Sequence, residues 1–571
     1  MKGASLALAL LLASAQAVLL ARTAWDKSDS VDEPVYMSAG AYQWLKTLGG
    51  DADAAFDRNC EAPALPKWGI ALGLRLADPG FFEAWANRGT AKEPDPLGPP
   101  IDHARRNLFA ARSATMLLTV AAGLFLWSAA RWFGDAAALA THALWCFSPT
   151  VLAQGSLATL DAWLTDLCCV ALWVAFRLWR RPSLGWTAAL GATIGLAAAC
   201  KVPGLGLLPV AAAVSGTALF RAARAAGRRP ALALAAGGLV LAASAFLALW
   251  AVYAFSTGEL QTNNLCGTGA GLENHARYGP LPFPAWISGL LLQGIHGEGG
   301  HISYLFGHVR SEGWWWFYLA CLALKTTLGA QAATLLRLAA CLKRRPRRGE
   351  LLLDAAILAY PALLLLVMSA GRTQNGIRYV LPLFPFAMLW LGRGVGAIRD
   401  AFGARGSKLL AACLVVGTLE SLAVHPHHLM FFNAWAGGPS GGPRYLIHGD
   451  DWGQDQRNLA EFLKTQKPWK LYYTYYNGNP GRWGLAWEQA PCEPKPGYYG
   501  LHAVEVHRPK RIQAGCLDWL TLEPPDARIG YSIYFYQVTK ARIERLEAER
   551  GKQKPFWQSA QLAGEEPASE E

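Results

Sequence analysis

Long apolar runs separated by short polar stretches dominate the amino-acid sequence. Each run is close to the ~20 residues that an α-helix needs to cross the hydrocarbon core of a bilayer. The pattern therefore predicts an α-helical, polytopic membrane protein with about eleven transmembrane helices. The predicted spans are 4–21, 108–133, 135–151, 160–180, 184–200, 203–220, 231–255, 313–339, 351–370, 377–398 and 408–424.

The first apolar run admits two interpretations. Ala15, Gln16 and Ala17 have the small-x-small pattern of a signal-peptide cleavage site. The run nevertheless continues to Ala21, which favours a retained membrane anchor. Under either interpretation, the loop 22–107 is translocated across the membrane.

Basic residues in the connecting loops predict the orientation. With the N-terminus inside, every internal basic cluster falls on the inner side, as the positive-inside rule requires. Three arginines at the outer end of the second span, Arg105, Arg106 and Arg112, are exceptions. The C-terminal region then lies outside. The inner clusters are Arg131; Arg177, Arg180 and Arg181; Arg221, Arg224, Arg228 and Arg229; Lys343, Arg344, Arg345, Arg347 and Arg348; and Arg399, Arg405 and Lys408.

Composition agrees with a membrane protein and argues against a nucleic-acid partner. The chain has 571 residues, of which 53% are hydrophobic and 16% charged, and its mean hydropathy is +0.17. A net charge of +12 is compatible with nucleic-acid binding. Here, however, the basic residues lie between apolar runs, so membrane orientation explains them and no nucleic-acid partner is predicted.

The chain is predicted to have two domains and a tail. Residues 1–436 form the transmembrane domain, residues 437–550 a small α/β domain on the outer face, and the polar tail 551–571 is disordered. Cys492 and Cys516 are candidates for a disulfide in the outer domain. Its predicted elements are an amphipathic helix at 454–465 and strands at 469–476, 502–507 and 531–538.

Two adjacent carboxylates, Asp32 and Glu33, follow the first apolar run just outside the membrane. Pro34 favours an extended conformation at Glu33, and the spacing of Tyr36 and the small residues after it predicts a short helix. Carboxylates fixed at the membrane surface suit a general base that acts on a lipid-borne substrate. The alternative is that Asp32 and Glu33 are the N-cap and first-turn acid of this helix.

The predicted topology brings more charged residues to the same outer face. Lys67 lies in the first outer loop, Asp161 begins the fourth span and Lys201 ends the fifth. Arg372 and Arg378 flank the turn before the tenth span. Charges at membrane depth are costly and are usually paired or functional. The alternatives are an N-cap role for Asp161, and snorkelling to the interface for Lys201 and Arg378.

The long outer loop 256–312 is predicted to cover the site as a lid. Its segment 284–295 is predicted to form an interfacial helix, with hinges at Gly297, Gly299 and Gly300. The histidines of this loop lack a close ligand spacing, so no metal site is predicted there.

Seven blocks of the sequence occur in the order found in one known family. They resemble the motifs of bacterial phospholipid-carrier-dependent glycosyltransferases, which are related to protein O-mannosyltransferases (family 39 type) and have the membrane fold called GT-C. One departure is that Ala62-Pro63-Ala64 replaces the usual HPP of the second block. The blocks are DEPVYMSAGAYQW, EAPALPKWGIALG, FSPTVLAQGSLATLD, GLAAACKVPGL, EGWWWFYLACLALKT, NGIRYVLPLFPF and PHHLMFFNAWAGGPSGGPRYLIHGDDWGQDQRNLAEFL.

The resemblance implies a particular chemistry and a set of site residues. Enzymes of this kind move a sugar from a polyprenyl-phosphate carrier to an acceptor hydroxyl on the outer face, usually with inversion. By resemblance, Asp32 is the general base, and Glu33 and Asp161 are neighbouring catalytic candidates. Glu33 would orient the acceptor or the loop, and Asp161 would be a second carboxylate near the acceptor or a partner that holds the cations in place. The candidate ligands of the donor phosphate are Lys67, Lys201, Arg372 and Arg378, and the candidate substrate contacts are Tyr36 and Tyr379.

The sequence thus predicts a multi-pass glycosyltransferase of the bacterial inner membrane, with its site and C-terminal domain on the periplasmic side. Its predicted partners are a polyprenyl-phosphate sugar, membrane lipid, and an acceptor that is a protein, lipid or glycan. No cofactor motif is present, and the sequence is compatible with a reaction that uses a divalent cation and with one that does not. The alternative is a secondary transporter or flippase of lipid-linked glycans, which shares the many spans and buried charges.

Overall fold

The computed structural model is mostly helical and describes residues 2–52, 54–86, 101–273, 275–447, 449–466, 470–475, 479–508 and 513–549. The predicted disordered tail, 551–571, lies outside the described residues. The helices up to residue 423 are α1 (Lys2–Asp26), α2 (Glu33–Leu48), α3 (Ala64–Ala77), α4 (Pro79–Ala86), α5 (Ile101–Ala130), α6 (Asp135–Cys146), α7 (Pro149–Gly155), α8 (Leu160–Arg180), α9 (Leu184–Ala198), α10 (Leu207–Ala225), α11 (Pro230–Val252), α12 (Pro284–Gly299), α13 (Phe317–Lys325), α14 (Leu328–Lys343), α15 (Arg348–Ala370) and α16 (Phe384–Ala423).

The polytopic helical class is confirmed, but the helices do not divide as the apolar runs suggested. Within the described residues, seven helical segments are long and apolar enough to cross a membrane, and nine if two bent pairs each count as one span. The predicted number was eleven. Helix α9 has only 15 residues, and 377–423 counts as one segment of 47 residues although it consists of two helices joined across a kink.

Gly403 accounts for the second of these differences. It has φ 61° and ψ −148° inside α16, a conformation that glycine adopts without steric cost. The predicted spans 377–398 and 408–424 lie on either side of it. The gap predicted between these two spans therefore contains the residue that interrupts the helix. Helical structure extends to Gly403 from both sides.

Two predicted spans are broken instead of straight. Helices α13 and α14 meet at 109°, so the segment predicted as one span at 313–339 is either a broken span or a re-entrant loop. The backbone of Thr326 is extended, and the Thr327 side chain caps the first turn of α14 by accepting from the Ala330 amide at 3.2 Å. Helices α6 and α7 meet at 58° where Ser148 caps α7 and Pro149 begins it.

One end of the helix bundle carries most of the polar structure, and we call it the loop face: residues 27–86, 256–312 and 425–549. The loop 256–312 contains two antiparallel hairpins that the sequence did not predict. They are β1 (Thr257–Gln261) with β2 (Arg277–Pro282), and β3 (Ser303–Leu305) with β4 (His308–Arg310).

The interfacial helix predicted at 284–295 exists and is longer than predicted. It is α12, which continues to Gly299. Gly297 and Gly299 therefore lie inside a helix and are not hinges. Gly300, with φ 70°, ends the helix in the left-handed region that favours glycine.

The C-terminal region contains a five-stranded mixed sheet in the order β6-β5-β7-β9-β8. Strand β5 runs parallel to β6 and β7, whereas β9 runs antiparallel to β7 and β8. The elements are α17 (Gly438–Gly441), α18 (Gln456–Gln466), β5 (Leu471–Tyr473), β6 (Glu488–Gln489), β7 (Gly497–His502), α19 (Ala503–His507), β8 (Ala527–Ile529), β9 (Ile533–Val538) and α20 (Lys540–Glu549).

This sheet is buried on both faces, because successive side chains point to opposite sides. Tyr473 and Phe535 pack with Leu459 of α18, and Tyr472 and Tyr534 pack in a separate apolar cluster on the other side. The helix predicted at 454–465 is therefore α18. The prediction of a strand at 502–507 is wrong, because residues 503–507 form α19. The alternation of apolar and polar residues suggested a strand with one exposed face, but the polar residues of this segment are buried as well.

The C-terminal region is joined to the chain just after α1 by backbone and ionic contacts. The Ser28 amide donates to the Gln454 carbonyl at 3.0 Å, and the Val31 amide donates to the Trp452 carbonyl at 3.1 Å. Lys27 forms a buried ion pair with Asp455 at 2.5 Å. These contacts fix the segment that immediately precedes Asp32.

Two disulfides lie on the loop face. Cys492–Cys516 confirms the predicted pair in the C-terminal region. Cys60–Cys266 was not predicted, and it joins the first loop to the loop 256–312 across a sequence separation of 206 residues. The second bond therefore links two segments that flank the same part of the loop face.

Candidate functional site

Asp32 stands at the point where the segment held by the C-terminal region enters α2. Although it occupies the N-cap position, its side chain makes no capping hydrogen bond. Its Oδ2 instead accepts a hydrogen bond from Arg378 Nη1 at 3.0 Å. The N-cap alternative therefore does not describe this carboxylate.

Arg378 is the centre of a cluster of four charges. It lies in the 3₁₀ turn Ile377–Leu383, directly before α16. Its Nη1 is 3.0 Å from Asp32 and 3.7 Å from Asp161 Oδ2, and Lys201 Nζ is 2.5 Å from Asp161 Oδ1. Four segments that are far apart in sequence thus bring two carboxylates and two cations together.

The two carboxylates of this cluster differ in exposure. The Asp161 side chain is 4% exposed and contacts both cations, whereas Asp32 is 26% exposed and contacts Arg378 alone. Asp161 is therefore placed to hold the cations, and Asp32 is the carboxylate that an incoming molecule can reach.

Aromatic rings surround the cations. Lys201 Nζ is 4.1 Å from the centroid of the Tyr379 ring, and the Arg378 guanidinium is 4.2 Å from that of Trp452. Both distances suit cation–π attraction. Trp452 was not predicted as a site residue, although it lies in the block GDDWGQD that carried the resemblance.

These residues open onto a cavity of about 640 Å³ on the loop face. Of the predicted site residues, seven line it: Asp32, Tyr36, Asp161, Lys201, Arg372, Arg378 and Tyr379. Sequence reasoning missed five polar residues of its wall, Asn59, Glu61, Gln293, His296 and Thr373. Glu61 lies in the block EAPALPK, which supplied a signal, but nothing in the sequence links it to His296.

Glu33 does not line the cavity, because its carboxylate faces the interior. It is fully buried and forms a bidentate pair with Arg112 at 2.6 and 2.7 Å. It also accepts from the backbone amides of Ser30 and Ala158. Burial alone would raise the pKa of Glu33, but Arg112 and these donors outweigh burial and lower it. The pair also explains why Arg112 breaks the positive-inside pattern.

Lys67 is also placed away from the cavity. It is 2% exposed, and its Nζ donates to the carbonyl of Asn59 at 2.6 Å. Burial lowers the pKa of Lys67 to about 7. In this position it supports the backbone of a residue that lines the cavity, and it does not itself face a ligand.

Arg372 lies at the edge of the cavity, where its Nη1 is 3.5 Å from the Glu298 carbonyl. Among the described residues, no group of three or more histidine, cysteine or acidic side chains is arranged to hold a metal ion. The carboxylates of Asp32 and Asp161 contact cationic side chains. The arrangement therefore places a partly exposed carboxylate, Asp32, beside cations that ion pairs hold in position.

Part of the chain matches the model of a known protein family. Residues 104–250 match the family model described as dolichyl-phosphate-mannose-protein mannosyltransferase. The match includes Asp161 and Lys201 but ends before Arg378. No curated protein sequence matches the chain.

Solved structures share a distant likeness with the chain. ArnT from Cupriavidus metallidurans bound to undecaprenyl phosphate is 14% identical over 93% of this chain and 98% of its own, with a TM-score of 0.42. The apo form of the same protein is 15% identical, with a TM-score of 0.44. The oligosaccharyltransferase from Archaeoglobus fulgidus, tethered to an acceptor peptide, is 14% identical over 74% of this chain and 54% of its own, with a TM-score of 0.39.

The family match covers two of the seven sequence blocks, FSPTVLAQGSLATLD and GLAAACKVPGL, and favours the transferase interpretation over the transporter alternative. It covers the first membrane helices that contribute to the cavity. Residues 104–250 of this multi-pass membrane chain are therefore similar to the protein mannosyltransferase family.

Proposed function

We propose that this protein transfers a sugar from a polyprenyl-phosphate carrier to a hydroxyl of a protein, lipid or glycan acceptor. The description of the matching family names a donor of this class, dolichyl-phosphate-mannose. The observation that carries the proposal is the position of Arg378, which contacts Asp32 and lies beside Asp161 at the wall of the cavity.

The charges around Arg378 suit a phosphodiester donor. The carboxylates of Asp32 and Asp161 balance Lys201 and Arg378, while Arg372 at the cavity edge and Glu61 elsewhere in the lining add one positive and one negative charge. A polyprenyl-phosphate sugar carries one negative charge, and the leaving polyprenyl phosphate carries more. Fixed cations therefore stabilise the leaving group more strongly than the bound donor, which is the requirement for catalysis.

In the proposed reaction, Asp32 is the general base. The acceptor oxygen attacks the anomeric carbon, and the bond from that carbon to the phosphate oxygen breaks. The electron pair of this bond passes to the phosphate, and the hydroxyl proton passes to Asp32. A single displacement of this kind inverts the anomeric centre. Asp161 acts through Lys201 and Arg378, whose positions it fixes.

An apolar cavity is available for the carrier's tail. It has a volume of about 420 Å³ and is lined by apolar side chains of α8, α10 and α15, among others. The polar cavity is lined by the loop-face ends of α8 and α15. A polyprenyl chain whose phosphate is bound near Arg378 can therefore follow the same two helices into the membrane.

We assign the loop face to the periplasmic side of a bacterial inner membrane. The positive-inside pattern supports this orientation, because the basic clusters follow the opposite ends of the spans. Two disulfides on the loop face support it as well, since structural disulfides persist in oxidising compartments.

The proposal is tested with purified protein in lipid vesicles and a panel of radiolabelled polyprenyl-phosphate sugars. We expect wild-type turnover, and a loss of about 10²- to 10⁴-fold in kcat for Asp32→Asn, because asparagine keeps the shape but cannot accept the proton. Asp51→Asn, an exposed acid of the same loop, is the matched control and should leave turnover unchanged.

Three results would contradict the proposal in different ways. Full activity of Asp32→Asn would assign the base to another carboxylate, with Asp161 as the next candidate. Retention of configuration in the product would exclude a single displacement. Carrier-dependent movement of lipid-linked sugar across the bilayer, without turnover of any donor, would favour the transporter alternative.

A further inference from the structure

One face of α12 is fitted to two residues of the first loop. Gly289, Gln293 and His296 are spaced by four and three residues, so they lie on the same side of the helix. All three contact Cys60 or Glu61. The adjacent Cys60–Cys266 disulfide ties this part of the first loop to the loop from which α12 begins.

Each contact has a distinct physical role. A Cβ on Gly289 would lie 2.2 Å from the Cys60 carbonyl oxygen, so glycine permits the close approach. Gln293 Nε2 donates to the Glu61 carbonyl at 2.5 Å, which fixes the backbone. His296 Nδ1 lies 2.7 Å from Glu61 Oε1, which orients the side-chain carboxylate. The helix therefore holds Glu61 at both its backbone and its carboxylate.

The Glu61–His296 pair is open to the cavity, unlike a structural ion pair. Its side chains are 36% and 57% exposed, whereas those of Glu33 and Arg112 are fully buried. Both residues line the same cavity as Arg378 and Lys201. The pair has access to whatever molecule the cations bind.

Asn59 adds a second polar group to this wall. It lines the cavity in a left-handed conformation with φ 54°, and Lys67 holds its carbonyl. Its side-chain Oδ1 is buried and has no hydrogen-bond partner among the described residues. A buried amide oxygen without a partner is costly, so a residue of this wall carries an acceptor that is not satisfied within the described protein.

We propose that Glu61 and His296 recognise hydroxyl groups of the donor's sugar and thereby determine which sugar is transferred. This inference rests on the proposed function and extends it to the substrate class. A carboxylate at this wall repels a phosphate, so the donor phosphate belongs with Arg378 and Lys201, and the sugar belongs beside Glu61.

The chemistry of the pair points to an uncharged hexose. A hydroxyl donates one hydrogen bond and accepts others, so one hydroxyl can donate to the Glu61 carboxylate while its neighbour pairs with His296 Nε2, whether that nitrogen donates or accepts. An ammonium group has donors only, so it can pair with Glu61 but cannot accept a hydrogen bond from His296. A neutral sugar with adjacent hydroxyls uses both partners.

The test measures specificity as well as rate. For the hexose that wild type transfers, monodeoxy donors identify the recognised hydroxyl, whose removal should lower kcat/KM by about 10- to 100-fold. Glu61→Gln and His296→Gln should lower kcat/KM for the parent hexose by a similar factor. For the deoxy donor that lacks the recognised hydroxyl, the variants should cause little further loss, so the ratio of the two donors falls towards one.

Glu259→Gln, an exposed acid on β1 in the same long loop, is the matched control and should keep the wild-type ratio. Protection of Cys60 and Cys266 from thiol alkylation shows that the variants fold. An unchanged ratio in a folded Glu61→Gln protein that still turns over would overturn this inference alone. Preference for a 2-amino donor in wild type would overturn the uncharged class. Absence of wild-type turnover with every donor would overturn the proposed function and this inference with it.

Discussion

The loop face contains two kinds of charge pairs, and they differ in what surrounds them. Around Arg378, carboxylates and cations meet at the wall of a cavity, and Asp32 remains 26% exposed. Glu33 with Arg112 and Lys27 with Asp455 are almost completely enclosed by protein. Similar ion pairs are thus open to a ligand in one region and sealed in the other.

The contrast teaches that adjacent residues in a motif can take opposite roles. Asp32 and Glu33 are neighbours in sequence, yet Asp32 faces the cavity and Glu33 faces the interior. A sealed pair costs desolvation of both ions and is best explained by what it holds together. Glu33 holds the start of α2 to α5 and to the turn before α8, so it positions the residue beside it.

The strongest way to break this comparison is to remove one half of the sealed pair. Arg112→Met leaves the Glu33 carboxylate buried without its partner, and we expect a loss of about 3–5 kcal/mol in stability. The measurement is the Tm of purified protein in detergent. Lys46→Met, which removes an exposed pair with Asp51, is the control and should leave the Tm unchanged.

Glu33→Gln tests whether Glu33 has a structural or a catalytic role. We expect its Tm to fall as well, while the kcat of the protein that stays folded changes little. A large loss of kcat at an unchanged Tm would show that Glu33 takes part in the chemistry, and the contrast with Asp32 would then be wrong.

A second test uses pH and the buried amine of Lys67. Its pKa in the folded protein is about 7, below the ~10.4 of an unfolded chain, so between these values only the unfolded chain binds the proton. The contribution of Lys67 to the free energy of unfolding therefore rises by about 1.4 kcal/mol per pH unit across this window and is lost as pH falls towards 7.

Lys67→Met should remove this slope. The check is the Tm of wild type and variant at several pH values between 7 and 9.5, with Lys46→Met as the exposed control. Equal slopes in wild type and Lys67→Met would mean that Lys67 is charged when folded, and its prediction as a phosphate ligand would regain support.

The smallest expected effect concerns Trp452, which lies beside the ion pairs that are open to the cavity. Trp452→Ala removes the ring beside the Arg378 guanidinium and should lower kcat/KM about tenfold, equivalent to ~1.4 kcal/mol of cation–π attraction. Trp452→Phe should recover part of the loss, and Trp435→Phe, at an exposed tryptophan of the loop face, should cause none. Equal losses in Trp452→Phe and Trp452→Ala would indicate a packing role instead.

Sequence patterns predicted the helical class, the set of polar residues that meet at the loop face, and most of the charged residues that line the cavity. They succeeded because apolar length and loop charge act locally along the chain. They failed where distant segments decide: Trp452 reaches Arg378, and His296 reaches Glu61, only after folding. The sequence did not indicate that Lys67 and Glu33 are buried, because a motif specifies a residue type and not the direction in which the side chain points.

The bond between Cys60 and Cys266 has a consequence for biogenesis. The helices α5 to α11 lie between the two cysteines in sequence, so both loops must have crossed the membrane before the thiols can meet. In the proposed periplasmic orientation, the wall that contains Glu61 is therefore completed late, in an oxidising compartment and after about half of the chain has been inserted. A molecule that stalls during insertion lacks this wall, and its free thiols would identify it.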